Sequence, residues 1–126
     1  MSELSSDPFV LAVGGSPAIG ELATMLMSEG FKVVAVADGI AALELLSERT
    51  PSTVISDTNL PTLDGYKLCK FLKRNPGTKK VAVILLSDKD SFFDRMRGKM
   101  AGCDDFVAKS YEDYDVLVKV KHSQYQ

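Results

Sequence analysis

The sequence is short of several things, and each shortage closes a class of function. Its single histidine, His122, lies near the C-terminal end and far in sequence from any predicted strand end, so it offers no base for a hydrolytic site. Its two cysteines, Cys69 and Cys103, fall in no C-x-x-C or Cys/His spacing and read as small hydrophobes of a reducing, cytoplasmic setting. A formal net charge of −2 with no visible basic stripe argues against a nucleic-acid or anionic-membrane surface. The longest apolar runs, such as Val81 to Leu86, are strand-sized, against the roughly 20 residues a membrane span needs. The opening MSELSSDP has neither a basic start nor an apolar stretch, so it reads as a tail and not a signal peptide.

What is present fits an ordinary globular protein: 126 residues, 45% hydrophobic and 25% charged, enough for one domain with a core of its own. Phe9 to Val13 is a continuous apolar run of the kind buried on both faces, and Gly14-Gly15-Ser16-Pro17 ends it. Ser16 suits an N-cap and Pro17 a first helical position, after which Ile19, Leu22, Ala23, Leu26 and Met27 recur on one helical face, closed by Gly30. Phe31 to Val36 is a second strand, Asp38-Gly39 opens a helix through Ile40 to Glu48 with Leu43 and Leu46 inward, and Pro51 precedes the strand Thr53 to Ser56. A third helix spans Gly65 to Arg74 with Leu68, Phe71 and Leu72 on one side. Lys67, Lys70, Lys73 and Arg74 read as its solvated face. Val81 to Leu86 is a fourth strand. Ser91 to Ala101 is a fourth helix with Phe93, Met96 and Met100 in line, interrupted by Gly98, which costs about 1 kcal/mol relative to Ala. Phe106 to Ala108 is a fifth strand, and Glu112 to about His122 a fifth helix with Tyr114, Leu117, Val118 and Lys121 on one side; Met25, Met27, Met96 and Met100 read as core filling.

Strict β-α alternation with short connections predicts an α/β parallel sheet with right-handed crossovers and helices on both faces. The doubly wound fold expected is the flavodoxin-like three-layer sandwich, a parallel five-stranded sheet of order 2-1-3-4-5. The expected organisation is a tail over residues 1–8, one domain over 9–122, and a second tail or linker start over 123–126. In such a sheet the ligand crevice lies at the carboxyl ends of strands 1 and 3. Asp57, at the end of strand 3, should therefore face Gly14-Gly15 across it. That glycine pair reads as a plain turn or as a small anion or nucleotide site made by backbone N–H groups at a helix N-terminus. Nucleotide fingerprints fail there: G-x-G-x-x-G would need glycine at Ser16 and Ile19, and the P-loop pattern meets Glu21-Leu22 instead of Lys-Ser/Thr.

The order and spacing of Ala37–Leu46 (ADGIAALELL), Ile55–Lys73 (ISDTNLPTLDGYKLCKFLK), Ile84–Asp90 (ILLSDKD) and Gly102–Ser110 (GCDDFVAKS) resemble the receiver domain of two-component response regulators over roughly residues 8 to 122. The resemblance implies that Asp57 stands where the family accepts a phosphoryl group from a histidine kinase. Ser87 and Lys109 stand where the family contacts that group, and Phe106 where its switch aromatic rotates. It also implies a protein partner at the face made by the fourth helix, fifth strand and fifth helix, and a module that is not an enzyme.

The chain departs from the family pattern at several of these positions. Receivers carry an acidic pair after the first strand to hold Mg²⁺, whereas this chain has Gly14 and Gly15. Three carboxylates and a lysine would give a pocket of −2; Asp57 and Lys109 alone give zero, and a pair 4 Å apart already interacts by about 4 kcal/mol at an effective dielectric of 20. No resident cofactor is expected, Mg²⁺ binding is expected to be weak or absent, and any metal contact would fall to Asp57 and the Asn59 backbone. Asp88 follows Ser87 where the family keeps a small residue; it either crowds the site or replaces part of the missing acid. Ser110 follows Lys109 where the family has a cis proline. A cis bond before a non-proline costs about 2.5 to 4 kcal/mol, so a trans, differently shaped loop is expected. Asp57 is then either a structural carboxylate paired with Lys109 or a phosphoacceptor. The first reading makes the domain a pseudo-receiver that binds a protein without phosphorylation, with Ser87 a capped strand end and Phe106 a core aromatic; the second makes it a conventional receiver.

Overall fold

The computed structural model describes residues 8–89, 91–108 and 113–124. Five strands and five helices alternate: β1 Val10–Val13, α1 Pro17–Ser28, β2 Val33–Val36, α2 Gly39–Leu46, β3 Thr53–Asp57, α3 Gly65–Arg74, β4 Ala82–Ser87, α4 Phe92–Ala101, β5 Asp105–Ala108 and α5 Asp113–Gln124. The strands form one parallel sheet of order β2-β1-β3-β4-β5, as expected, with Val13 opposite Ser56 where β1 meets β3.

Alternate residues of each strand feed opposite faces of the sheet. Leu11, Val13, Val54, Val83 and Leu85 pack with Ala42, Leu68, Leu72 and Ala101 of α2, α3 and α4. Val10, Ala12, Ile55, Ile84 and Val107 pack with Ile19, Leu22, Leu26, Val116 and Val120 of α1 and α5. Side-chain caps fix where the helices begin: Ser16, Asp38, Asp64 and Ser91 accept from the backbone N–H groups of Ile19, Ala41, Lys67 and Asp94. The second helix ends at Leu46, and the second strand begins at Val33, two residues inside its expected bound.

The outer helices differ from expectation in which face they bury. Phe93, Met96 and Met100 of α4 point to solvent, with Met100 80% exposed, while Gly98 and Ala101 face inward. A β-carbon at Gly98 would come within 2.9 Å of the Phe106 ring, so the glycine is the residue that lets α4 lie close on β5. On α5 the buried residues are Val116, Leu117 and Val120, whereas Tyr114, Val118 and Lys121 are exposed. Leu43 and Leu46 are half-buried beside a fully buried Ala42, and Phe71 is exposed. The methionines do not fill the core: Met27, Met96 and Met100 are exposed and Met25 is half-buried. Lys73 is no part of a solvated face either. Its ammonium donates to the Val81 carbonyl and to Asp104, both at 2.7 Å, and ties α3 to the β4 and β5 entrances.

Candidate functional site

Asp57 closes β3, and the backbone on either side of it is fixed by neighbours. Thr58 N–H donates to the Leu86 carbonyl at 2.9 Å, holding the β3 exit against β4. Gly65, the first residue of α3, sits so close that a β-carbon there would lie 2.3 Å from the Asp57 carbonyl oxygen. The carboxylate is thus aimed from the carboxyl edge of the sheet toward the end of β1.

There it meets α1. The Ser16 hydroxyl donates to Asp57 Oδ1 at 3.0 Å, and the Ser16 N–H donates to Oδ2 at 3.4 Å. The same hydroxyl accepts from Ile19 N–H at 3.3 Å as the helix cap. One oxygen therefore links a carboxylate 41 residues away to the N-terminus of α1, whose dipole favours negative charge. Gly14 makes room for this. Its φ is +137°, and a β-carbon there would fall 2.2 Å from Asp57 Oδ2, so the turn is no plain connection. Gly15 is different: nothing lies within 4 Å of where its β-carbon would be.

A cavity of about 480 Å³ opens beside the carboxylate, lined among others by Ser16, Asp57, Asn59, Ser87 and Asp88. Burial raises the Asp57 pKa above the ordinary carboxylate value; the Ser16 hydroxyl and N–H bonds pull it back, and the charge of Asp88 pushes it up. Ser87 is buried at the end of β4, with its hydroxyl accepting from Lys89 N–H at 3.0 Å. Phe106 is half-buried on β5, packed beside Gly98 with the Arg95 guanidinium 5.4 Å from its ring centre. Among the described residues, no three His, Cys, Asp or Glu side chains converge as a metal ligand set. Lys109 and Ser110, expected as the pairing lysine and the altered loop, lie outside the described residues. The structure thus brings Gly14, Gly15, Asp57, Ser87 and Asp88 to one edge and sets Phe106 on the outer strand.

Ser16 is the site residue that the sequence reading missed. Its cap role and the facing of Asp57 toward the end of the first strand were both legible, and together they place a hydroxyl beside the carboxylate.

The family model of the response regulator receiver domain matches residues 10–121. The chain is 32% identical over 122 residues to protein PilG of Pseudomonas aeruginosa, covering 96% of this chain and 90% of PilG. It is 34% identical over 96 residues to the phosphate regulon transcriptional regulatory protein PhoB of Rhizobium meliloti, covering 76% of this chain but 42% of that protein. Among solved structures, it resembles the signal receiver domain of a signal transduction histidine kinase from Syntrophus aciditrophicus, with a TM-score of 0.85, 34% identity and coverage of 93% and 89%. With a parallel sheet of order 2-1-3-4-5, an aspartate at the carboxyl end of its central strand and a family match over nearly the whole sequence, the chain belongs to the response regulator receiver family.

Proposed function

We propose that this receiver is a degenerate one, a protein-interaction module that signals without phosphorylation of Asp57. The observation that carries the reading is that the Asp57 carboxylate is engaged by Ser16 where the family's acidic pair would stand as Gly14 and Gly15. The residues present do not fit Mg²⁺. The ion needs several oxygen donors in near-octahedral array, and here one carboxylate spends both oxygens on Ser16, with Asp88 as its acidic neighbour in the cavity. Gly14 cannot regain an acid without displacing Asp57; Gly15 has the space for one. The anion-site reading of this loop also loses ground, because the Ser16 N–H at the helix N-terminus is already given to the chain's own carboxylate.

The partner face we assign is that of α4, β5 and α5. Phe92, Phe93, Met96 and Met100 on α4 are exposed, as are Tyr114 and Val118 on α5. The helices α4 and α5 flank the edge strand β5 from opposite faces of the sheet, so these groups border one edge of the domain, and exposed apolar surface of this kind suits a protein partner. The conventional alternative, phosphorylation of Asp57 by a histidine kinase with Asp88 helping to hold the metal, is favoured by the shared cavity of Asp57, Ser87 and Asp88.

Intact-mass spectrometry after incubation with Mg²⁺ and acetyl phosphate separates the two. The degenerate reading expects no added phosphoryl group. A stoichiometric, metal-dependent gain that vanishes in Asp57→Asn overturns it.

A further inference from the structure

The stretch from Gly65 to Ser87 carries six cations, Lys67, Lys70, Lys73, Arg74, Lys79 and Lys80, and no carboxylate. The rest of the chain then holds nine Lys and Arg against all 17 Asp and Glu, so the domain is polarised despite its net −2. The expectation of no basic stripe is thereby corrected. The stripe escapes a net-charge reading because it is short and balanced elsewhere.

Four of the cations sit on α3, spaced three and four residues apart, where like charges face and repel one another. Favourable interaction with the negative helix C-terminus accounts for Lys73 and Arg74 in the last turn but leaves Lys67 and Lys70 unexplained. Lys73 is already spent on Asp104 and Val81, whereas no ion pair involves Lys67, Lys70 or Arg74 among the described residues. Between these three lies Phe71, 43% exposed on the same surface. Lys67, Lys70, Phe71, Arg74, Asn75 and Pro76 together line a shallow groove of about 480 Å³. The groove belongs to α3 and the turn after it and shares no lining residue with the Asp57 cavity.

We propose that this groove docks an acidic segment of a partner protein, with a large apolar side chain of that segment seated on Phe71 and Pro76 and its carboxylates on Lys67, Lys70 and Arg74. Charge complementarity supplies the sign, and the apolar floor supplies the anchor that a purely ionic contact lacks. A peptide suits the patch better than a nucleic acid or a membrane. The cations span only about one and a half to two helical turns, roughly 10 Å, and a longer polyanion would meet the acidic remainder of a chain whose pI is about 5.3. Docking here does not depend on the state of Asp57.

The test uses the whole protein and a fluorescein-labelled hexapeptide, Glu-Glu-Phe-Glu-Glu-Leu, followed by anisotropy and by amide chemical shifts. Shifts are expected on Lys67 to Pro76. Binding should fall about tenfold or more in Lys70→Glu/Arg74→Glu, and severalfold in Phe71→Ser or when the peptide's Phe becomes Ser. Raising salt from about 0.05 to about 0.15 M should weaken it. Asp57→Asn should bind the peptide unchanged, which separates this result from the phosphorylation experiment. The proposal is overturned by any of four results: no peptide binding, unchanged binding in the charge-reversed variant, shifts confined to another face, or tighter binding of an oligodeoxythymidine, of phosphatidylserine vesicles or of a second copy of this chain than of the peptide.

Discussion

Replacing Ser16 by Ala removes a single oxygen and two interactions at once. The first is the α1 cap, where the hydroxyl accepts from Ile19 N–H at 3.3 Å; losing such a cap costs about 1 kcal/mol. The second is the 3.0 Å bond donated to the Asp57 carboxylate; hydrogen bonds to charged groups contribute about 1.5 to 3 kcal/mol. Both groups are only half-buried, so a combined loss of about 2 to 3 kcal/mol is expected, a fall in Tm of about 6 to 15 °C for a domain of this size. Urea unfolding followed by far-UV circular dichroism measures the first quantity and a thermal scan the second. Ser16→Thr, which keeps the hydroxyl, should stay close to the parent. Ser16→Ala should also raise the Asp57 pKa further, because the hydroxyl is the strongest influence holding it down against burial. A ¹³C titration of the carboxyl carbon reads that directly. A stability loss below about 0.5 kcal/mol, the scale of an ordinary surface change, would refute the reasoning.

Other expectations follow from the same geometry. Gly14→Ala forces a β-carbon into Asp57 Oδ2 at a φ of +137° and should destabilise by about 2 kcal/mol or more, whereas Gly15→Ala, with open space at its β-carbon, should stay within about 0.5 kcal/mol; denaturant midpoints compare them. Since folding raises the Asp57 pKa, the folded state holds that proton more tightly; the resulting stability cost is absent below the ordinary value of 3.8, grows as pH rises through the folded pKa, and is constant above it. Asp57→Asn should therefore gain stability relative to the parent as pH rises from 3.8, and a parallel pH dependence in the two proteins would contradict this. Burial pushes the Cys69 thiol up to about 12 and the Cys103 thiol up to about 11, so at pH 8 both should react slowly with Ellman's reagent in the folded protein and rapidly in urea.

The fold was legible because its signals are local and repeated. Ser16-Pro17 announces the start of α1, Gly65 to Arg74 announces α3 to the residue, and the strand–helix alternation announces a parallel sheet covered on both faces. The buried faces of α4 and α5 were not legible. Periodicity finds an apolar stripe, here Phe93, Met96 and Met100, but the packed side of α4 is set by the smallness of Gly98 and Ala101, which allow contact with Phe106 and the core. By sequence Lys73 reads as a solvated cation, because its partners, Asp104 and the Val81 carbonyl, are supplied by the tertiary structure. At the site, Asp57 and the glycines could be placed by their strand ends alone. What holds the carboxylate is a non-local bond across the switch point, and it becomes visible once β1 and β3 are adjacent.

The central claim is that Asp57, held by the chain's own serine and unsupported by an acidic pair, does not recruit magnesium. A Mg²⁺ titration followed through the backbone amides of Gly14 to Ser16 and Asp57 to Asn59 tests it most directly. The account predicts amides that stay in place at millimolar ion, and saturable shifts in Gly15→Asp. Saturable binding by the unaltered protein, with Asp57 in the coordination shell, would contradict it.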